Sequence, residues 1–241
     1  MTLEKSFIKK FEQNLRKNVK LSSYSWFNLG GNADYFFKAN DKNHLKEFLQ
    51  EADSKNLKVT ILGAGSNTLF RDNGVRGVVV KLGKEFSFIK KIDENTLEVG
   101  AATLDRKVAN YAKDNSLKNL EFLSCIPGSI GGAVIMNSGC YDNDISKIII
   151  SINVLDKKKM IEKEIKKENI NFFYRGTDLS SDLIILSAKL RCSSGKKIEI
   201  EEKQNNLLER KKLSQPSQIK TCGSTFKNIS EDKKAWKLIK E

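Results

Sequence analysis

Four stretches of this 241-residue chain have residue types and spacing that could do chemistry. Ser124 to Tyr141 reads S-C-I-P-G-S-I-G-G-A-V-I-M-N-S-G-C-Y and holds four of the fifteen glycines, Gly128, Gly131, Gly132 and Gly139, with one of the two prolines. Pro127 fixes φ and presets a turn. Glycine lets a backbone come close to something that is not protein. The Pro127-Gly128-Ser129 turn and the Gly131-Gly132 pair therefore suit a phosphate or a flat ring lying against the main chain. They equally suit a turn packed tightly between two elements. Gly63-Ala64-Gly65-Ser66-Asn67 follows an apolar run. It begins like a dinucleotide fingerprint and departs from it at the sixth position, which is Thr68 and not Gly. What remains is a strand-to-loop cradle whose N–H groups could hold a pyrophosphate, with Ser66 and Asn67 as side-chain donors, or else a plain β-turn.

The third stretch is Tyr174-Arg175, after an apolar-aromatic run. A guanidinium fixed by its neighbours is a natural partner for a carboxylate, or for an enolate developing from one. A structural salt bridge to Asp178 or Asp182 is the alternative. The fourth is Gly223-Ser224-Thr225-Phe226-Lys227-Asn228. A serine placed this way is often only a turn or a cap. A catalytic serine without a histidine would act as a general acid, donating its proton to a carbanion-like centre, a role that contributes ~10²–10⁴-fold.

Much other chemistry is excluded. The chain has one histidine, His44, in D-K-N-H-L-K-E-F-L-Q-E-A beside the stripe Leu45, Phe48, Leu49 and Ala52, which marks it as a helix-surface residue. A Ser–His–Asp triad would have to use it, and a histidine-based metal site is close to excluded, so no metal is expected. Cys125, Cys140, Cys192 and Cys222 have no C-x-x-C spacing, and the N-terminus lacks the apolar core of a secretory signal. Free thiols in a reducing, cytoplasmic compartment are the expectation. The net charge is +13, yet only seven of the 43 basic residues are Arg, and the lysines are interleaved with Asp, Glu and Asn. Base reading and phosphate clamping favour Arg. A lysine-rich solvated surface, able to steer an anionic small substrate, fits better than a nucleic-acid partner. No apolar run approaches the ~18 residues of a membrane span.

The positioning elements follow from periodicity. Phe7, Ile8, Phe11 and Leu15 fall at helical spacing and predict an amphipathic helix over 3–17. Residues 21–39 read as extended chain broken at Gly30-Gly31. Asp41 or Asn43 caps a helix that ends near Ser54. K-V-T-I-L predicts a buried strand and residues 75–82 another, a β-α-β-loop-β order with parallel pairing in part. Short strands follow at 86–92 and 96–102, then a helix at 104–114, a strand at 145–155, a short helix near 163–169 and a strand at 183–191. Residues 197–212 end in a helix, Pro216 marks a break, and the last ten residues have helical propensity.

G-A-G-S-N, I-P-G-S-I-G-G-A-V-I-M-N-S-G-C-Y, Y-R and C-G-S-T-F-K-N resemble, in that order, the motifs of the UDP-N-acetylenolpyruvoylglucosamine reductase (UDP-N-acetylmuramate dehydrogenase) family. W-F-N-L-G-G-N-A and R-K-K-L-S-Q-P are similar to it too, and the likeness covers residues 20 to 241. The resemblance implies an α+β chain with the FAD-binding fold of the vanillyl-alcohol oxidases. Residues 1–83 and 84–213 would be the two subdomains that grip FAD, and 214–241 the start of a substrate-binding domain. It implies that NADPH reduces FAD, and that the flavin N5 passes hydride to C3 of the enolpyruvyl group of a UDP-sugar substrate. Ser224 matches the proton donor to C2, and Arg175 the arginine that binds the carboxylate. Tyr174, Lys227 and Asn228 would contact substrate, while residues 63–67, Pro127, Gly128, Ser129, Gly131 and Gly132 would hold the cofactor. The short interval between Tyr174 and Ser224 resembles the shorter subtype. Asp142 stands where the family usually has Gly, and Ile229 where it has Pro. The family continues beyond a point matching Glu241, and no residue here matches its catalytic glutamate. An FAD-binding relative without reductase activity, a flavoprotein oxidase and a basic nucleic-acid module are the competing expectations.

Overall fold

Val78, Val79 and Val80 are completely buried in the strand that both of its neighbours pair with in parallel. The computed structural model describes residues 5–215, 226–230 and 233–240. It starts with α1 (Lys5–Lys10) and β1 (Leu15–Lys20). The helix predicted over 3–17 is therefore only its first part. Phe7 and Phe11 pack on Phe48, the chain turns, and Leu15 opens a ladder with Phe37. Pairing with a neighbouring strand overrides the helical period at Leu15.

Next come β2 (Asn32–Ala39), α2 (Lys42–Ser54), β3 (Val59–Leu62) and β4 (Val75–Leu82), in the sheet order β1-β2-β4-β3. The Asp41 carboxylate accepts from the His44 N–H at 2.8 Å, so Asp41 and not Asn43 caps α2. His44 packs edge-on against Phe37, and its Nδ1 accepts from the Asn40 N–H. β3 is less buried than K-V-T-I-L suggests, with Ile61 39% exposed. It is an edge strand, and its open face forms part of a cavity wall.

The second layer begins with β5 (Ile89–Asp93), β6 (Thr96–Gly100), α3 (Asp105–Asp114) and β7 (Leu117–Lys118). After a 3-10 turn over Glu121–Cys125 come α4 (Ile130–Ile135), β8 (Gly139–Cys140), β9 (Asn143–Asp144), α5 (Ile145–Ile148) and β10 (Ile149–Asp156). β11 (Ile161–Lys166), β12 (Phe172–Phe173), β13 (Gly176–Thr177), β14 (Leu183–Arg191), β15 (Ser193–Ser194), α6 (Lys197–Ser214) and α7 (Ala235–Lys240) complete the order. The main sheet, β11-β10-β14-β6-β5, is antiparallel throughout. Residues 161–166 are a strand where a helix was expected near 163–169. Their Lys/Glu alternation suits a helix, but the hairpin register Ser151↔Lys166 to Asp156↔Ile161 wins, and the charges then guard a sheet edge. Only Lys167–Asn169 keeps a helical turn.

The central strands of this second sheet, β10, β14 and β6, are largely buried. Leu97, Val108, Leu123, Ile130 and Ile152 belong to a core with α3, α4 and the 3-10 turn. Leu155, Ile184 and Leu186 belong instead to a cluster with Phe37, Phe48, Val78, Val80 and Phe86, which joins the two sheets. Among the described residues no helix is long and apolar enough to cross a membrane.

β8 and β9 are joined by Tyr141 and Asp142, both left-handed, with φ 50° and 65°. Two positive φ values make the kind of tight hairpin turn that favours Gly or Asn. Asp142 thus adopts the conformation for which glycine is suited, and the turn forms without it. An L-residue there costs roughly 1 kcal/mol. Asp142→Gly is expected to raise stability by about that amount in urea unfolding. A stability loss of similar size would show that the Asp142 side chain has a tertiary role.

Candidate functional site

A cavity of about 2110 Å³ lies between the two sheets. This exceeds the ~300–1,000 Å³ typical of a small-ligand pocket. One wall is the loop after β3, with Gly63, Ala64, Gly65, Ser66 and Asn67 all lining it. The loop is held from behind through its carbonyls. The Lys81 ammonium donates to Gly63 O at 2.6 Å, the Trp26 N–H to Gly65 O at 3.1 Å, and Ser25 Oγ to Thr68 O at 2.7 Å. None of these bonds uses the amides that a pyrophosphate would need. Gly65 has φ +74°, and a methyl group on it would come within 1.9 Å of Tyr24 O. There the glycine serves protein packing.

The opposite wall contains Pro127, Gly128, Ser129, Gly131 and Gly132. The Gly131 N–H donates to Ala101 O at 2.9 Å, which ties this wall to the end of β6. Ser129 Oγ is buried and has no hydrogen-bond partner. A methyl group on Gly63 would lie 3.0 Å from that oxygen, and one on Gly132 would meet nothing nearer than the same atom at 3.8 Å. The two glycine stretches thus converge on one orphan hydroxyl, tightly at Gly63 and with room at Gly132. A buried hydroxyl without a partner carries a desolvation penalty of about 1–3 kcal/mol, which a polar ligand would relieve.

Tyr174 and Arg175 occupy the turn between β12 and β13, and both line the cavity. Arg175 has φ +59°, an uncommon conformation for a bulky residue and one that clusters at functional sites. Its guanidinium lies 5.4 Å from the Tyr174 ring centroid. The expected salt-bridge partners are engaged elsewhere: Asp178 binds Asn171, and Asp182 pairs with Lys157 and Lys158. Among the described residues no carboxylate pairs with Arg175. Lys227 also lines the cavity. Asn228 is placed differently: its N–H donates to Tyr174 Oη at 3.4 Å, and its side chain caps α7 by accepting from the Ala235 N–H at 3.1 Å. Ser224 lies outside the described residues.

Sequence reasoning missed three groups here. Lys81 and Lys211 line the cavity and add positive charge near the two loops. Burial, followed by repulsion from Lys38, holds the Lys81 ammonium below its ordinary value. Nothing in V-V-V-K-L separates this lysine from the many on the surface. Asp105 is the third. It is fully buried at the first turn of α3, and its N–H donates to Gly128 O at 3.1 Å. Neither carboxyl oxygen is satisfied; the Gly128 N–H approaches, but with poor geometry. A methyl group on Gly128 would stand 2.5 Å from Asp105 Oδ2, so Gly128 gives this carboxyl its room. Among the described residues no group of three or more His, Cys, Asp or Glu side chains could hold a metal ion.

Comparison with known proteins agrees with this geometry. A profile of the FAD binding domain matches residues 33–162. The chain is 40% identical over 240 residues to a UDP-N-acetylenolpyruvoylglucosamine reductase of Pelagibacter ubique, covering 97% of this chain and 79% of the relative. The crystal structure of UDP-N-acetylenolpyruvylglucosamine reductase from Thermus caldophilus superposes with a TM-score of 0.82 at 28% identity, covering 94% of this chain and 79% of that one. Alkyldihydroxyacetonephosphate synthase shares the fold, with a TM-score of 0.57 at 11% identity over 80% of this chain and 44% of its own.

Asp105 gives a pH prediction. Burial raises its carboxyl well above the ordinary value, and the approach of the Gly128 N–H offsets this only in part. The folded protein therefore keeps a proton that the unfolded chain releases near pH ~4. In that window the native state binds more protons than the unfolded state, so stability falls as pH rises toward the folded-state value. Asp105→Asn should flatten this decline in thermal unfolding followed from about pH 4 to neutrality. Parallel profiles for the two proteins would remove Asp105 as the cause.

Proposed function

We propose, since the chain belongs to the UDP-N-acetylenolpyruvoylglucosamine reductase family, that it uses FAD and NADPH to reduce UDP-N-acetylglucosamine enolpyruvate to UDP-N-acetylmuramate, in the cytoplasm, for peptidoglycan precursor synthesis. One observation carries the proposal beyond family membership. The two glycine loops and an arginine free of any described carboxylate face the same cavity. The orphan Ser129 Oγ, with Gly63 close beside it and room at Gly132, fits FAD. Residues 63–67 and 127–132 would hold its pyrophosphate and ring. When bound, FAD supplies hydride transfer from nicotinamide to the unsaturated acid.

This chain's own residues do the rest. Adding hydride to an enolpyruvyl double bond builds negative charge on the carboxylate side. Arg175 would bind that carboxylate with its planar fork, already in place before the charge develops. Tyr174 stacks beside the guanidinium and, through its hydroxyl, joins Asn228, which draws the segment following Ser224 to the rim of the cavity. Ser224 would give its proton to the carbon next to the carboxylate. Lys227, Lys211 and Lys81 put positive charge where the substrate's own diphosphate must travel. The division at 83/84 and 213/214 belongs to the same proposal, with one boundary just after β4 and the other at the last turn of α6.

Stopped-flow absorbance separates the half-reactions. Ser224→Ala should leave bleaching of the flavin by NADPH intact and slow reoxidation by the enolpyruvyl substrate by ~10²–10⁴-fold. Equal loss of both half-reactions would sink the assigned role. Arg175→Lys keeps the charge but not the fork, and should slow reoxidation on the order of 10–100-fold. An unchanged rate would detach Arg175 from the carboxylate.

A further inference from the structure

Two cysteines bracket the glycine-rich wall. Cys125 is the last residue of the 3-10 turn, and Cys140 lies in β8, beyond α4. Both line the cavity, so both are reached from the space a small molecule would enter. Cys140 Sγ donates to Phe122 O at 3.4 Å, which seats it against the turn that carries Cys125. Ser124 Oγ lies 3.8 Å from Cys125 Sγ, and Lys211 Nζ donates to Cys125 O. Cys192 differs: buried like Cys125, it does not line the cavity, and burial pushes its thiol up.

We infer that Cys125 and Cys140 are a redox-active thiol pair, which a hydroperoxide converts to a disulfide linking the two ends of the segment 126–139. The electrostatics assign the roles. The neighbouring Cys140 thiol, with help from Ser124 and the Lys211 ammonium, holds the Cys125 thiol down at about 6 against the effect of burial. The nearby Cys125, together with burial, pushes the Cys140 thiol up. Cys125 is therefore the attacking thiolate and Cys140 the resolving thiol. The Cys125 thiolate, its proton released to solvent, attacks hydrogen peroxide; an S–O bond forms, the O–O bond breaks, and hydroxide leaves and takes the proton of Cys140. The Cys140 thiolate then attacks the sulfenic acid sulfur; the S–S bond forms, the S–O bond breaks, and the departing hydroxide takes up the proton that Cys125 released, giving the second water. With hydrogen peroxide, two thiols lose two hydrogens and two electrons, and two waters result. An external dithiol reverses the change.

Trypsin makes the test direct. No Lys or Arg lies between the two cysteines, so both fall in the peptide Asn119–Lys147, while Cys192 falls in Cys192–Lys196 and Cys222 in Thr221–Lys227. The purified chain is treated with near-stoichiometric hydrogen peroxide, blocked with maleimide, digested and weighed by mass spectrometry. The peptide Asn119–Lys147 is expected to lose two hydrogens and take no maleimide, while Cys192–Lys196 stays fully labelled. Dithiothreitol should restore both thiols. In Cys140→Ser the reaction should stop at a sulfenic acid on Cys125 that dimedone traps, and in Cys125→Ser the Cys140 thiol should survive. A fully labelled Asn119–Lys147 peptide under conditions that oxidise Cys192 or Cys222 would overturn the inference, as would cross-links between chains. The unsubstituted protein decides the matter even if a variant fails to fold.

Discussion

The site exists because two sheets are held at a fixed separation by one apolar cluster. Phe37 and Phe48 stack with centroids 3.7 Å apart, and Phe86, Leu155, Ile184 and Leu186 close over Val78 and Val80. Each fully buried side chain of this size contributes ~1.5–3 kcal/mol, so the joint is strong and not easily sheared. The loop after β3 projects from one sheet, and the glycine-rich turn rests on the other through Ala101. The gap between them is therefore set largely by side chains behind the cavity, with only Ile184 of those named here reaching its wall. A cofactor clamp of this kind is rigid in its width and adjustable only at its rim.

That rim is where the backbone is least relaxed. Asn137, Tyr141, Asp142 and Arg175 all line the cavity with positive φ and none is glycine. Such conformations cost energy and persist only where the surroundings over-determine them. Here the surroundings are visible: the Asn137 carboxamide accepts from the Ser146 N–H, Lys147 donates to Asp142 O, and the Arg210 guanidinium covers the Tyr141 ring at 4.3 Å. Polar and cation–π contacts from α5 and α6 thus hold the strained turns in place. The middle of α6 is tied down independently, where Gln204 donates to Ala109 O.

How far this was legible in the sequence depended on whether the signal was local. β4, β14 and the cap at Asp41 could be read almost to the residue, because a run of β-branched residues and an Asx cap need no distant partner. The glycine loops announced a cradle, but not which glycines face it. Gly65 and Gly128 answer to Tyr24 and Asp105, whereas Gly63 answers to Ser129 Oγ and Gly132 has room around it. Residues 145–148, expected as strand, form α5; the two opposite misreadings share one cause. Leu15 and residues 161–166 fit a helical period by themselves, and only pairing with β2 and β10 turns them into strands. Asp105, Lys81 and Lys211 gave no signal, because burial and cavity-lining are properties of the assembled fold.

The two sheets also differ in when they can be finished. The β1-β2-β4-β3 sheet needs nothing beyond Leu82, so a nascent chain holds all of its strands early. In the larger sheet β6 pairs with β14, and Thr96 meets Arg191 only after most of the chain has been made. Until then β6 has β5 alone, and a two-stranded ribbon has little stability in water. Pairing so distant along the chain is slow, and it leaves apolar strand edges waiting for a partner. The cavity is then a late product of synthesis, since its second wall rests on a sheet that closes last.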